Sequence, residues 1–391
     1  MGNSDFLYLA KQVAVELEEA NITYQFIRES ALQLQGIEFD TLDRVRVLVQ
    51  WDQFETLYDM YQPYNPTPIS KESDQAEFVI NRNGFTIVFK CLFNIAIKTD
   101  PYRIQIEELW CQSLYTYLFD MDNEFSEIVH QHLLRKQQEI TVHNESAWNQ
   151  NNYVALINRY GEPAKAAAKV RQNPKWRLHP FYKYLGDVQD KKIVHLLGSN
   201  GIKGTALALL GANVTVIDFS KENQRFAEEV AKEAGVEISY IVSDVLSVFD
   251  KDVQPNNDVL LMELGVLHYF IDLTPLAKVI AKLLKKDGLF ILHEFHPIST
   301  KLITSTGKKH KVTGNYFDPS IHTKEVAFTK HMTSDEQSDL SKVLQRYWTL
   351  GEIITAFAKE GLFVQTLEEE PNHKLHDIGL PKTFTLCARK I

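Results

Sequence analysis

The sequence predicts an α/β fold over residues 146–391, preceded by a smaller α+β domain over residues 1–138. Three observations carry this. From Lys192 onward, short branched apolar runs alternate with helical runs. A glycine turn, Gly198-Ser199-Asn200-Gly201, joins the first such strand to the first such helix. Before residue 138 the order is different: helix, strand, short helix, strand, helix, hairpin, helices.

The totals set the class. The chain has 391 residues, 44% hydrophobic and 24% charged, which suits a globular protein of two domains. A formal charge of -9 argues against a general nucleic-acid surface. Cys91, Cys111 and Cys387 lie far apart and make no metal spacing, so no metal is expected. A sparse, odd set of thiols fits a reducing, cytoplasmic setting. No apolar run approaches the roughly 18 residues of a membrane helix. The start, MGNSDFLYLA, lacks a basic stretch followed by an apolar core, and Phe6 stands where a myristoylation signal needs Ser or Thr.

Asp5 to Ala20 carries Phe6, Leu9, Val13 and Leu17 at helical spacing. Ile22 to Ile27 reads as a strand, Ser30 to Leu34 as a helix stopped near Gly36, and Val45 to Val49 as a strand. Gln53 to Met60 is helical, and Pro63, Pro66 and Pro68 make a loop. Asn81-Arg82-Asn83-Gly84 signals a hairpin between Glu77–Ile80 and Phe85–Phe89. Ile104 to Phe119 and Glu124 to Gln138 read as helices. This order resembles the minimal nucleotidyltransferase fold. Active members place a glycine pair after the first strand, where this chain has Arg28-Glu29-Ser30, and an Asp-x-Asp pair at the next, where it has Asp43-Arg44-Val45-Arg46. The resemblance therefore implies a domain without catalysis, since one carboxylate cannot build a two-metal clamp.

A polar connection over Gln137 to Asn152 is expected between the domains. Two helices follow between Tyr153 and Trp176; the second carries Lys165, Lys169 and Arg171 as a solvated face. Trp176 and Phe181 read as core packing, with a lid over the site as the alternative. Ile193 to Leu197 is a buried strand, Thr205 to Leu210 a helix closed by Gly211, and Val214 to Ile217 a second strand ending at Asp218. A carboxylate at that strand end can accept two hydrogen bonds from a ribose diol. A dinucleotide turn would need glycine where Asn200 stands. Glu222 to Ala234 is a helix capped by Gly235, and Ile238 to Val242 a third strand. Asp258 to Met262 is the fourth strand, Pro275 to Leu284 a helix, Lys286-Asp287-Gly288 a turn, and Leu289 to Leu292 the fifth strand. The stretch from His296 to Phe328 reads as polar and irregular, and is long enough to be a functional lid. Thr349 caps the next helix, and Leu362–Leu367 and Thr383–Ala388 are the last strands.

Four segments in this order resemble class I S-adenosylmethionine-dependent methyltransferases of the small-molecule type. They are the Gly198–Gly201 turn, Asp218, Ser243-Asp244-Val245, and the block from Asp258 to Pro297. His195 and Leu196 depart from the family, which carries an acidic residue there. The resemblance implies a Rossmann-like seven-stranded sheet with the final pair of strands antiparallel. It implies S-adenosylmethionine as cofactor, held by Gly198, Ser199, Asn200, Gly201, Asp218, Phe219, Asp244, Val245 and Glu263. It implies methyl transfer to an O or N atom of a small-molecule acceptor.

The ends of the fourth and fifth strands carry Glu263, His268, His293, Glu294 and His296. Alternation sends His293 and Glu294 to opposite faces. His296 is the candidate general base, since a histidine can take a proton near neutral pH, and Glu263 is the second catalytic candidate. Met262-Glu263-Leu264-Gly265 is not the Asn/Asp-Pro-Pro-aromatic box of enzymes that methylate exocyclic base amines. Two rival functions remain: a non-catalytic S-adenosylmethionine-binding regulator, and an RNA or protein methyltransferase recruited through the N-terminal domain. No membrane partner is expected, and a homodimer is the oligomer to test.

Overall fold

The computed structural model describes residues 3–40, 42–118, 124–251, 253–306, 309–335, 337, 339–372 and 379–391. The chain divides into two compact units, residues 1–133 and 134–391.

The first unit contains α1 (Asn3–Glu19), β1 (Tyr24–Phe26), α2 (Arg28–Leu34), β2 (Arg44–Val49), α3 (Phe54–Met60), β3 (Ser70–Lys71), β4 (Gln75–Arg82), β5 (Phe85–Leu92), β6 (Arg103–Ile106) and β7 (Leu109–Gln112). They make one mixed sheet in the order β3-β4-β5-β2-β1-β7-β6. Phe6, Leu9, Val13 and Leu17 of α1 are all buried, as their spacing predicts. The Asn83-Gly84 hairpin forms, with both residues at positive φ. The helix expected over 104–119 does not: β6 and β7 pair there instead. Ile104 and Ile106 alternate with period two, and the connecting residues Glu107 and Glu108 take φ 45° and 72°. Glycine or asparagine normally marks such a turn, so two glutamates concealed the hairpin.

The helix α4 (Ser126–Trp148) replaces the polar connection expected from Gln137. Its buried amides mislead a hydropathy reading. Gln137 donates to the Tyr269 carbonyl at 2.9 Å and accepts from the Ile271 N–H at 2.8 Å; Asn144 makes the same pair of bonds with Leu344. Satisfied in this way, they are buried at little cost.

The second unit continues with α5 (Asn152–Tyr160), α6 (Pro163–Gln172), α7 (Pro174–Arg177), α8 (Tyr182–Leu185), β8 (Lys192–Leu196), α9 (Ile202–Leu209), β9 (Asn213–Asp218), α10 (Lys221–Ala234), β10 (Ser239–Val242), β11 (Asn257–Glu263), α11 (Thr274–Leu283), β12 (Leu284–Phe295), β13 (Ile303–Thr306), β14 (Lys309–Val312), β15 (Ile321–Lys324), β16 (Val343–Arg346), α12 (Leu350–Lys359), β17 (Leu362–Pro371) and β18 (Pro381–Lys390). Seven strands form a sheet ordered β10-β9-β8-β11-β12-β18-β17, in which β18 runs antiparallel to both neighbours. This is the doubly wound arrangement expected from the alternation. Successive residues of the central strands serve opposite faces. Val194, Leu196, Leu260 and Met262 pack with α11 and α12; Ile193, Val259 and Leu261 pack with α9, α10 and α6. The strand order reverses between β8 and β11, which opens a crevice at their carboxyl ends.

Three local readings are corrected. Lys286-Asp287-Gly288 is no turn before a strand: β12 already begins at Leu284, and the irregularity appears as a register shift against β11. Trp176 is 64% exposed rather than core, whereas Phe181 is fully buried. The stretch after His296 is not irregular throughout, since β13 pairs β14 and β15 pairs β16. Thr349 caps α12 as expected, in a reciprocal box with Glu352. Among the described residues no helix is long and apolar enough to cross a membrane.

Candidate functional site

The crevice at the β8/β11 switch holds a cavity of about 560 Å³, within the range of small-ligand sites. The turn after β8 forms one wall. Leu197, Ser199 and Gly201 take φ 49°, 47° and 66°. Left-handed backbone is easy for glycine and costs other residues about 1–2 kcal/mol. Here only the third position is glycine, and it must be: a Cβ on Gly201 would lie 2.4 Å from the Ala227 Cβ of α10. Gly198 faces the same limit against Val216 of β9, at 2.6 Å. These glycines let the turn lie flat on its neighbours.

Asp218 ends β9 and is nearly buried. Its Oδ2 accepts from the Ser199 N–H at 3.1 Å; its Oδ1 accepts from the Ser220 N–H at 2.9 Å and from Asn223 Nδ2 at 3.2 Å. Burial pushes its carboxyl above the usual range, and these three bonds oppose that. A carboxylate offers about four acceptor sites, so one remains for a ligand hydroxyl rather than the two expected. Phe219 follows in the cavity wall. Asp244 and Val245 line the cavity beyond β10, and burial raises the Asp244 carboxyl too.

Glu263 ends β11 and enters the same cavity. It contacts the ammonium of Lys203, in the first turn of α9, and lies 3.8 Å from Nε2 of His195. His195 is fully buried with neither ring nitrogen hydrogen-bonded, and burial pulls its pKa down to about 3. Burial likewise pulls Lys203 down to about 7. Lys203 carries no motif, and its partner lies on a strand 60 residues away in sequence.

Of the expected site residues, Gly198, Ser199, Asn200, Asp218, Phe219, Asp244, Val245 and Glu263 all line this one cavity. Gly201 supports the turn from behind. His296 is not among the lining residues. It is buried, its Nδ1 accepts from the Ile298 N–H at 3.1 Å, and its Nε2 faces Glu369 Oε1 at 2.6 Å. With both nitrogens engaged, it is a structural histidine rather than a free base. His293 is held by Thr385 Oγ1 at 2.9 Å, and burial lowers its pKa to about 4. Glu294 points to the opposite face, as alternation requires, and accepts backbone N–H groups of Gly265, Val266 and Leu267. His268 does line the cavity, and burial lowers it to about 4. Trp148, Tyr160, Arg177 and Phe328 complete the wall without any local signature in the sequence, and exposed Trp176 lines it too, where the lid alternative put it.

A glycine turn and acidic strand ends thus meet around one crevice of a doubly wound α/β domain. Residues 197–292 match the family model for the methyltransferase domain. Over these residues the chain is thus similar to the methyltransferase domain family. No curated protein matches the sequence. Among solved structures, a Listeria monocytogenes protein assigned as an S-adenosylmethionine-dependent methyltransferase is 22% identical, with TM-score 0.45, over 56% of this chain and 99% of that one. A Mesorhizobium loti S-adenosylmethionine-dependent methyltransferase is 18% identical, with TM-score 0.42, over 56% and 99%. The magnesium protoporphyrin IX methyltransferase of Synechocystis, with S-adenosylmethionine bound, is 12% identical, with TM-score 0.40, over 63% and 95%.

Proposed function

We propose that this cavity holds S-adenosylmethionine and that the domain methylates an O or N atom of a small molecule. The observation that supports this is the convergence of four separate segments on one cavity: Gly198–Asn200, Asp218-Phe219, Asp244-Val245 and Glu263. In this reading Asp218 uses its remaining acceptor site for a ribose hydroxyl. Asp244 takes the adenine amino group while Val245 packs on the ring.

The cofactor supplies an electrophilic methyl on a sulfonium. The chain's task is to hold the acceptor atom in line and keep water out. Trp148, Tyr160 and Phe328 offer apolar walls for that task. His296 is bonded elsewhere, so positioning carries more of the rate than proton removal. Three buried, unpaired thiols fit a reducing, cytoplasmic setting.

The first unit is read as an accessory domain that transfers no nucleotide. The first turn of α2, just after β1, is committed internally: Glu29 pairs with Arg46 at 2.6 Å, and Ser30 Oγ accepts from the Arg46 N–H at 2.9 Å. Magnesium-dependent pyrophosphate release from nucleoside triphosphates by the full chain would overturn that.

Calorimetry tests the cofactor reading. Asp218→Asn should weaken S-adenosylmethionine binding by about 1.5–3 kcal/mol, the scale of one charge-assisted bond. Equal affinity of variant and wild type, or tighter binding of NAD, would refute it. Label transfer from the methyl-labelled cofactor to a low-mass fraction of a cell extract separates an enzyme from a regulator. Its loss on nuclease or protease treatment would point to a macromolecular acceptor instead.

A further inference from the structure

Besides its histidines, the cavity is lined by charged side chains that fall into two sets. Asp218, Asp244 and Glu263 stand at or just beyond the carboxyl ends of β9, β10 and β11, and Glu263 contacts the ammonium of Lys203. Arg159, Arg177 and Lys330 come from outside the sheet. They belong to the last turn of α5, to α7, and to the turn Thr329–His331 between β15 and β16. Arg159 and Lys330 are exposed and Arg177 is half-buried. Among the described residues none of these three is paired with a carboxylate.

The contacts they do make leave their charge in place. Arg159 Nη1 lies 2.6 Å from His331 Nε2. A guanidinium can only donate, so that ring nitrogen accepts and the imidazole is neutral. Burial, then Arg159 and Lys330, lower the His331 pKa and keep it so. Asn158, also on α5, donates to the His331 carbonyl at 3.0 Å. The helix and the turn are therefore fastened together where their cations stand. The Arg177 guanidinium lies 5.1 Å from the Trp176 ring, and its Nε is buried without a hydrogen bond. A buried, unbonded N–H is costly, and more so on a charged group. Cations gathered without anions also repel one another. The cofactor does not relieve this, because S-adenosylmethionine is itself a net cation and is read here against the acidic set. An anionic acceptor does.

We propose that Arg159, Arg177 and Lys330 form the acceptor subsite, and that the acceptor is a small acid whose carboxylate or phosphate group they hold. This rests on the cofactor reading above. Arg177 offers a planar fork of donors that fits either group bidentately. Arg159 and Lys330 add positive charge where the acceptor enters. The acid group then selects and orients the acceptor, while the acidic set keeps the cofactor.

Calorimetry on the full chain saturated with S-adenosylhomocysteine tests this, with inorganic phosphate and acetate as the titrated anions. At least one of them should bind the wild type with millimolar affinity. Preference for phosphate identifies a phosphate ester as the acceptor, and preference for acetate a carboxylate. Arg177→Gln should weaken the bound anion about 10- to 100-fold, the scale of a charge-assisted bond. Its affinity for S-adenosylhomocysteine should stay unchanged, which reports that the variant is folded. Should Arg177→Gln fail to fold, Lys330→Gln decides, because an exposed side chain is replaced; it should weaken the anion about 2- to 5-fold. In label transfer from the methyl-labelled cofactor, acceptor activity of a low-mass extract should reside in the fraction retained by an anion exchanger. A wild type that binds S-adenosylhomocysteine but neither anion overturns the inference. So does a folded variant that binds the anion as tightly as wild type, or label that enters the unretained fraction alone. A wild type that does not bind S-adenosylhomocysteine sinks the cofactor reading, and this inference falls with it.

Discussion

Glu294 is the side chain on which the cavity floor hangs. Its Oε1 accepts the N–H of Gly265 at 2.6 Å and of Phe295 at 2.7 Å; its Oε2 accepts Val266 at 2.8 Å and Leu267 at 3.2 Å. Four backbone donors, two buried and two half-buried, thus converge on one carboxylate where Leu264 and Gly265 turn through positive φ. Glu294→Gln keeps the shape and one oxygen. The amide nitrogen then faces two N–H donors, which lose their acceptor. Each unsatisfied buried donor costs about 1–3 kcal/mol. Against this, burial already pushes the Glu294 carboxyl up, so removing the charge recovers part of a desolvation penalty. The net expectation is a loss of about 3 kcal/mol. Urea denaturation followed by tryptophan emission is the assay, because Trp348 donates to the Leu267 carbonyl at 3.0 Å and reports this loop. Gly265 lines the cavity, so cofactor affinity should fall too. A variant within about 1 kcal/mol of wild type would mean the carboxyl is already protonated in the fold, and the reasoning would fail.

Two further outcomes follow from the same geometry. His195 takes up a proton near pH 6.5 when unfolded but only near 3 when folded, so its contribution is complete above 6.5 and is lost as pH falls toward 3. His195→Leu should remove about 1.4 kcal/mol per pH unit of acid sensitivity over pH 4–6, seen in denaturation midpoints; an unchanged slope would contradict a neutral His195. Gly201→Ala should cost about 2–4 kcal/mol through its clash with Ala227 and its positive φ, whereas Ser199→Gly should gain about 0.5–1 kcal/mol, since φ 47° and an unbonded buried Oγ are both relieved. Equal shifts in midpoint for the two variants would refute the account of the turn.

The readable features were those whose cause is local. The α/β alternation, the Asn83-Gly84 turn, the Thr349 cap and the acidic ends of β9 and β10 follow from residues within a few positions of each other. What escaped depends on partners far along the chain. One local feature escaped as well: the hairpin of β6 and β7 turns at Glu107-Glu108 without the usual turn residues. One face of the second half of α4 is buried because the backbone of Tyr269, Ile271 and Leu344 satisfies its amides. His296 looked available beside the fifth strand, yet Glu369, 73 residues later, claims one nitrogen. Lys203 gains its meaning from Glu263 alone. Side chains such as these cannot be ranked from spacing, since their roles are set by which distant group the fold brings to them.

The turn after β8 joins stability to binding in one residue. Leu197 and Ser199 occupy left-handed backbone that favours glycine, so something must hold them there. For Ser199 the restraints are visible on both sides: Asp218 Oδ2 accepts its N–H, and the Tyr240 hydroxyl donates to its carbonyl at 2.7 Å. Leu197 is held by packing against the core on both sides of the cavity. Asp218 therefore does two things with one carboxylate. Three acceptor sites tie the turn to the start of α10, and the fourth is the one proposed for the ligand. Asp244 is different, because the backbone bonds to its carboxyl, from Val245 and from Leu246 at 3.2 Å, stay within its own turn. Loss of the Asp218 charge must then soften the turn and the ligand site together. Loss of the Asp244 charge must act on the ligand alone. A single strained turn braced by a carboxylate at the cavity edge explains why this chain can depart from an all-glycine turn and still shape the cavity.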